Sequence, residues 1–453
     1  MTIIDHPFSD LAAGHSPPRR LRLGAWLPTA LILTGGAIVL GLWWQTTPDV
    51  RGPAGWLTEA GRISGLLAGY GCAVLLGLMA RVPALERGVG TDRLARWHAM
   101  GGRYTVCLAL THVLLIVLGY AAADHTDPIG EGAAIVLNYP EMLKGTVGFA
   151  LLVAVGVTSA RAARRRLPYE VWHLIHLGSY LAIFLAFSHQ LALGAQFVQT
   201  PAARVFWYGM YGTVAALILC FRFLLPVRQA FRHRLRVAGV RVEGPGVLSV
   251  YINGHRLDEL GAEPGQFFRW RFVAPGLWWA ANPYSLSAAP RPGQLRITVK
   301  VAGNHSQALA RLRPGVRVWA EGPYGAFTAA RSRRGRSLLL AGGVGITPLR
   351  SLFETLPGDV VLIYVARRAG DLALRTELDA IAAARRATVH YFVDEPAAYR
   401  LELTGRSLRQ VVPDLAERDV FLCGPPGMAA AARTALRAAH VPARRIHHES
   451  FEL

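Results

Sequence analysis

WHLIHLGSYLAIFLAFSHQL, residues 172–191, is apolar enough to cross a membrane, yet it carries three imidazoles, His173, His176 and His189. A polar ring in hydrocarbon needs a partner, and ionisable side chains inside a membrane usually mark function. The fold follows from what those rings meet.

The same pattern repeats through the N-terminal half. Apolar runs of spanning length cover about 24–46, 61–82, 99–121, 141–160, 171–192 and 205–225. Their connectors alternate in charge. RRLR (19–22), RVPALERGVGTDRLAR (81–96), RAARRR (161–166) and RQAFRHRLR (228–236) lie on one side; TTPDVRGPAG (46–55), AADHTDPIGEG (122–132) and ALGAQFVQTPA (192–202) lie on the other. Positive connectors stay in the cytoplasm, which predicts six spans, both termini inside, and a multi-pass protein of the cell (inner) membrane. Residues 1–23 read as a cytoplasmic tail. Arg19-Arg20 precede a long run without a clean small-residue cleavage site, so that run reads as a first span and not as a removed signal.

Composition agrees. Hydrophobic residues make up 52% and charged ones 17% of the 453, a membrane composition diluted by a soluble part. The net charge is +20, and all basic residues but Lys144 and Lys300 are arginines. These cluster beside apolar runs, which points to membrane lipid and not to nucleic acid. Cys72, Cys107, Cys220 and Cys423 are far apart and form neither a disulfide framework nor a CxxC motif.

The third span, WHAMGGRYTVCLALTH (97–112), carries His98 near its inner end and His112 deeper. The third and fifth spans both run outward, so His98 matches His176 in depth and His112 matches His189. Fourteen residues of helix rise about 21 Å and thirteen about 19.5 Å. Two imidazole pairs at two levels are a natural axial set for two haem irons. A transport site for metal would instead converge on one point. Fourteen residues return to within about 40° of one face, but thirteen land about 140° away and sixteen, from His173 to His189, about 160°. The fifth helix therefore needs a kink or π-bulge near Gly178-Ser179. Depth favours His176 over His173; rotation favours neither.

After Arg236 the periodicity changes. Residues about 235–330 are short alternating runs with Gly/Pro turns, which predicts an antiparallel β-barrel. Residues about 335–453 alternate strands with helices, which predicts an α/β domain on a parallel sheet. The expected whole is a multi-domain membrane protein: a six-helix transmembrane bundle over 24–226, then the barrel, then the α/β domain. In AGGVGITP (341–348), Gly342, Gly343 and Gly345 let backbone approach a pyrophosphate at a helix N-terminus, and Thr347-Pro348 suit that helix's first turn. CGPPGM (423–428) strengthens the reading.

Taken together these motifs resemble the ferric reductase / NADPH oxidase superfamily, a haem-bearing transmembrane domain fused to a ferredoxin-reductase-like FAD and NAD(P)H module. The resemblance covers nearly everything after residue 20. NPYSLSAAP (282–290) resembles the flavin motif, which implies FAD contacts from Asn282, Pro283, Tyr284 and Ser285, with Tyr284 against the isoalloxazine and Ser285 at its reactive nitrogen. Asn282 stands where the family often has Arg or His. VKVAGNHSQAL (299–309) resembles the segment that meets the flavin pyrophosphate, through Gly303 and Ser306 beside Lys300. AGGVGITP and CGPPGM match the nicotinamide turns, which implies Cys423, Gly424 and Pro425 near hydride transfer. HESFEL (448–453) resembles the end whose aromatic, here Phe451, shields the flavin. YEVWHLIHLGSY (169–180) resembles the haem-ligand helix, with the second His as ligand; His98/His176 would then hold an inner haem iron and His112/His189 an outer one. His173 has no assigned part.

The resemblance implies an enzyme that transfers electrons from cytoplasmic NADPH or NADH through FAD and two b-type haems to an external acceptor. Dioxygen is favoured as that acceptor; ferric chelate, or a periplasmic redox partner, is the alternative. Arg367 and Arg368, after the second strand of the nicotinamide domain, stand where a 2′-phosphate would be met.

Overall fold

A computed structural model describes residues 23–449 apart from 48, 49, 165, 168, 199 and 396–400. The chain divides into two compact units. Among the described residues, one comprises Gly24–Val82 and Arg93–Arg222; the other comprises Leu23, Pro83–Asp92 and Phe223 onward.

The first unit is built from apolar helices. Among the described residues six helices are long and apolar enough to cross a membrane: Trp26–Thr46, Gly52–Leu78, Thr91–Asp124, Met142–Ser159, Val171–Leu193 and Pro201–His233. Leu31, Leu33, Leu114, Phe184 and Val205 point outward and stay exposed, as lipid-facing side chains do. The second helix starts nine residues before the predicted run, because Pro53 sits within its first turn and costs no helical hydrogen bond there. The third starts at Thr91 and runs 34 residues. The 122–132 connector is no open loop. Asp127 accepts from the Ile129 and Gly130 amides and starts an extra helix, Pro128–Asn138. The expected irregularity at Gly178-Ser179 is absent: Tyr169–Leu193 is hydrogen-bonded as α-helix throughout. The π turn falls instead at Leu219–Leu224 in the last apolar helix.

In the other unit, two antiparallel sheets come first. β1 (Arg236–Gly244), β2 (Val247–Asn253) and β5 (Gln294–Lys300) form one, in the order β1-β2-β5; β3 (Phe267–Phe272), β4 (Asn282–Ser285) and β6 (Val318–Tyr324) form the other, in the order β4-β3-β6. Val250, Ile252, Phe268, Trp270, Leu286 and Ile297 fill the space between them. The predicted barrel is not closed. No continuous ladder joins the two sheets among the described residues: isolated bridges link Arg236 to Arg317 and Leu286 to Ile297, and the Val318 and Gly315 amides donate to the Leu235 and Val237 carbonyls. The seams stay open because β4 is four residues long and holds Pro283, which offers no N–H, and because β1 carries two register shifts that twist it away.

Then β7 (Arg336–Gly342), β8 (Asp359–Ala366), β9 (Thr388–Val393), β10 (Asp419–Cys423) and β11 (Ile446–Glu449) build one parallel sheet in the order β11-β10-β7-β8-β9. Its strands are apolar on both faces. Leu338, Leu340, Ile363, Val420 and Leu422 enter one core, and Leu339, Ala341, Leu362, Tyr364 and Phe421 the other. Helices cover both sides, as a parallel sheet requires.

Buried ion pairs join the antiparallel and parallel parts. Arg296 of β5 donates to both Glu377 oxygens at 2.7 and 2.9 Å and to Ser287. Arg350, on the helix Ile346–Thr355, also donates to Glu377, at 3.0 Å, and pairs with Glu354. Burial pushes the Glu377 carboxyl up, but Arg296, then Arg350 and Arg241, outweigh it and hold it at about 2. A carboxylate depressed on folding adds stability that is complete above its unfolded value of about 4.3 and is lost as pH falls toward the folded value. Acid should therefore weaken this module between about pH 4.3 and 2. Glu377→Gln strands two buried guanidiniums and should cost about 3 kcal/mol at neutral pH. Denaturant titration of the purified chain, followed by circular dichroism across that pH range, checks both; an unmoved midpoint would refute the linkage.

Candidate functional sites

The third and fifth apolar helices bring four imidazoles together as two pairs. The ring centres of His98 and His176 are 5.9 Å apart, and those of His112 and His189 are 6.4 Å apart. These are the pairs that depth alone matched. Both pairs form on a fifth helix that is continuous α-helix from Tyr169 to Leu193. His173 is exposed against Trp172 and joins neither pair.

Second contacts orient the rings. His98 Nδ1 lies 3.2 Å from the Leu75 carbonyl and His112 Nδ1 lies 2.8 Å from that of Gly61. A carbonyl only accepts, so each Nδ1 carries the proton and each Nε2 keeps a free lone pair, the form in which histidine binds metals. His176 Nδ1 faces the Ser159 hydroxyl at 3.4 Å. Glycines make the room: a Cβ on Gly65 would come within 2.6 Å of the His112 ring, and one on Gly145 within 3.0 Å of the His189 ring. A metal–imidazole bond is about 2 Å, and the ring centre lies about 1 Å beyond the nitrogen, so two axial imidazoles on one iron have centres about 6 Å apart. Both pairs meet that spacing. The donor set fits haem iron.

In the other unit, β4 carries Asn282, Pro283, Tyr284 and Ser285. Ser285 is buried opposite Phe267 of β3, and the Trp270 indole donates to the Tyr284 carbonyl at 2.9 Å. Burial pushes the Tyr284 hydroxyl up to about 12, so it stays protonated. Lys300 ends β5 and is exposed. In the following turn the Ser306 hydroxyl accepts from the Ala302 and Gly303 amides at 2.9 and 3.0 Å, so Ser306 builds the loop. His305 beside it, passed over in the sequence, has both ring nitrogens buried without a hydrogen-bond partner. A buried imidazole left unsatisfied fits a phosphate-bearing ligand at this turn.

The two nicotinamide turns pack against each other. Gly343 takes a left-handed φ of 51°, and a Cβ on Gly345 would fall 2.2 Å from the Cys423 carbonyl. Thr347 is buried and donates to the Val344 carbonyl. Gly342 backs onto Pro425 and Met428, and Gly424 lies against Gly342. Arg367 and Arg368 do follow β8, but both pair with Glu395 beyond β9, at 3.2 and 3.0 Å. Phe451 lies outside the described residues.

Glu449, also unforeseen, pairs in register with Cys423. Its Oε1 and the Phe267 ring both lie within about 3.5 Å of where Gly325 would carry a Cβ, which brings the Ser285 strand pair and the Cys423 strand end to one place. Burial, then Asp92 and Glu86, pushes the Glu449 carboxyl well above its usual range, so it keeps its proton. Its signal in the sequence was only a carboxylate two residues before the terminal aromatic.

Residues 64–187 match the family described as ferric reductase like transmembrane component, and residues 339–434 match the oxidoreductase NAD-binding domain. The chain thus joins a ferric-reductase-like transmembrane component to an oxidoreductase NAD-binding domain. It is 31% identical to the stachydrine N-demethylase reductase subunit of Rhizobium meliloti (strain 1021), over 46% of this chain and 64% of that one. It is 31% identical to the flavohemoprotein of Bordetella pertussis (strain Tohama I), over 54% of this chain and 68% of that one. It thus spans about two thirds of the length of these relatives. Among solved structures, the flavohem-like FAD/NAD binding domain of nitric oxide dioxygenase from Vibrio cholerae O1 biovar El Tor matches with a TM-score of 0.41 and 25% identity, over 48% of this chain and 98% of that one.

Burial, Glu449 and Asp92 push the Cys423 thiol well above its usual range. Only the thiolate is nucleophilic. A hydrophilic maleimide at about pH 8 should therefore leave Cys423 unlabelled in the native chain and modify it after denaturation. Peptide mass mapping reads the difference; equal labelling in both states would show an open, ionisable thiol.

Proposed function

We propose that this protein sits in the cell (inner) membrane with both termini cytoplasmic, and that it moves electrons from NADPH or NADH, by way of FAD and two b-type haems, to external dioxygen, releasing superoxide. The observation that supports this most is the presence, in one chain, of two intramembrane imidazole pairs at haem spacing and a nicotinamide-binding oxidoreductase module. FAD, when bound, takes up a hydride and gives out electrons one at a time, and haem iron accepts and donates single electrons.

The chain's own residues supply position and protonation. His98 and His176 would hold an inner iron, His112 and His189 an outer one, with His98 and His112 binding through the Nε2 that their carbonyl contacts leave free. Tyr284 and Ser285, with Asn282 and Pro283, would hold the flavin ring; Lys300, Gly303, Ser306 and His305 would hold its phosphates. Gly342, Gly343, Gly345, Thr347, Gly424 and Pro425 would receive the dinucleotide beside Cys423, with Phe451 as the shield over the flavin. The neutral carboxyl of Glu449 and the neutral thiol of Cys423 put no anion next to the reacting ring. Arg367 and Arg368 would meet the 2′-phosphate of NADPH, in exchange for Glu395. The corresponding divisions are 24–226 for haem, 235–330 for FAD and 335–453 for NAD(P)H.

Dioxygen needs no side-chain ligand. A second reading, a redox subunit that feeds a periplasmic partner, draws on the likeness to a relative named a reductase subunit.

Aerobic turnover decides among them. The purified chain should oxidise NADPH in air, and superoxide dismutase should block the accompanying cytochrome c reduction. Turnover only with ferric chelate would replace the oxidase by a reductase, and reduction without turnover on either acceptor would favour the partner. His112→Ala should remove about half of the haem, measured as pyridine haemochrome, and stop external reduction while the flavin still bleaches with NADPH. Full haem retention would overturn the outer pair.

A further inference from the structure

We propose that the arginine-lined cleft at the foot of the last apolar helix is a binding site for a phosphate-bearing anion, gripped by Arg228, Arg234 and Arg256. The site plays no part in the electron route above.

The last apolar helix runs 33 residues, Pro201–His233. At 1.5 Å per residue it is about 50 Å long, against a hydrocarbon layer of about 30 Å. Its final turns, Leu225–His233, therefore reach past the apolar layer, and they carry Arg228, Arg232 and His233. There the chain forms a cavity of about 550 Å³ lined by Arg228, Phe231, Arg232, Arg234, His255 and Arg256. That volume is in the usual range for small-molecule sites. No acidic side chain lines it.

The charges are not consumed within the fold. Arg232 is bound to Glu259. Arg228 and Arg234 have no ion pair and no side-chain hydrogen bond among the described residues, and Arg256 acts on Glu259 only through its field. A positive-inside bias explains arginines in this connector, but not arginines converging on a cavity. Arg234 and Arg256, both in the lining of the cleft, hold left-handed backbone, φ 44° and 51°, where glycine would fit with less strain. The planar guanidinium fork matches phosphate oxygens, and several forks around one cavity neutralise a phosphate without ordering water between them. Phe231, 74% exposed among the arginines, adds an apolar ring at the same mouth. An aromatic beside a basic cluster just beyond a membrane span fits the boundary between acyl chains and headgroups, where anionic lipids attract such clusters. The phosphate chemistry is common to a lipid headgroup and to a soluble phosphate; the placement favours the headgroup.

The test counts bound lipid and not turnover. Delipidated full-length protein in neutral detergent is offered equal amounts of phosphatidylglycerol and phosphatidylcholine, and retained lipid is counted by native mass spectrometry. We expect at least a tenfold preference for phosphatidylglycerol. The triple variant Arg228→Gln, Arg234→Gln, Arg256→Gln should lose it about tenfold. The triple variant Arg406→Gln, Arg409→Gln, Arg433→Gln, which removes equal charge from exposed positions of the nicotinamide domain, should keep it. Should the cleft variant fail to fold, Arg228→Gln alone, at an exposed helix position, should still lose severalfold. Excess inorganic phosphate separates the sources: lipid that stays bound identifies a headgroup site, and displacement with the same arginine dependence identifies a general phosphate site. Equal retention of the two lipids with no phosphate binding, or a folded cleft variant that retains phosphatidylglycerol like the wild type, overturns the proposal.

Discussion

A polar group taken out of water must find its partner inside the protein, and both units are organised by that requirement. In the apolar helices the groups are imidazoles. His98 and His112 donate their Nδ1 protons to carbonyls of the second helix, and their rings stand beside those of His176 and His189. These contacts decide which helices must be neighbours and at what height. Lipid supplies no hydrophobic drive between helices, so close approach through small residues matters more, and Gly65 and Gly145 lie where the rings need the space. Glu59 follows the same rule, held by Arg62 and the Trp43 indole.

In the other unit the requirement is met by charge. Arg296, Arg350, Glu377 and Glu354 sit between a strand of the antiparallel part and two helices of the parallel part. Each is costly to bury alone and acceptable only with the others in place. The network therefore favours one relative setting of the two parts. Arg296 also holds Ser287, two residues beyond Ser285, so the setting reaches the strand that carries the flavin motif. At the far end of the sheet, Glu449 and Cys423 are both pushed toward their neutral forms, chiefly by burial, which makes an apolar-like floor out of two ionisable side chains.

Local turn chemistry links these two scales. Gly345 is required because the first nicotinamide turn rests on the backbone of the second, and the same contact brings Cys423 beside the Gly-rich turn. The glycine pattern was read as room for a pyrophosphate; part of that room is used by the protein itself. Ser306 is similar. Its hydroxyl is spent on its own loop, while the adjacent His305 is the side chain left unsatisfied.

Much was legible in the chain because it depends on local pattern. Six apolar runs, arginine-rich connectors on alternate sides and the change from helical to strand period after Arg236 each follow from solvent preference along a few consecutive residues. The pairing of His98 with His176 and of His112 with His189 was legible too, since depth is a one-dimensional quantity. What the chain alone could not decide is anything set by contacts between distant segments. Rotation about the fifth helix pointed to a break, yet the helix is continuous and both pairs form. The antiparallel strands suggested closure, but a short β4 with Pro283 leaves the seam open. Arg367 and Arg368 read as free cations until Glu395, 27 residues away, met them. Glu377 and the cleft around Arg228, Arg234 and Arg256 carry no local signature at all, and Glu449 carries only its place in HESFEL. Their properties come from burial and from charges brought near by the fold, and neither exists before the chain has packed.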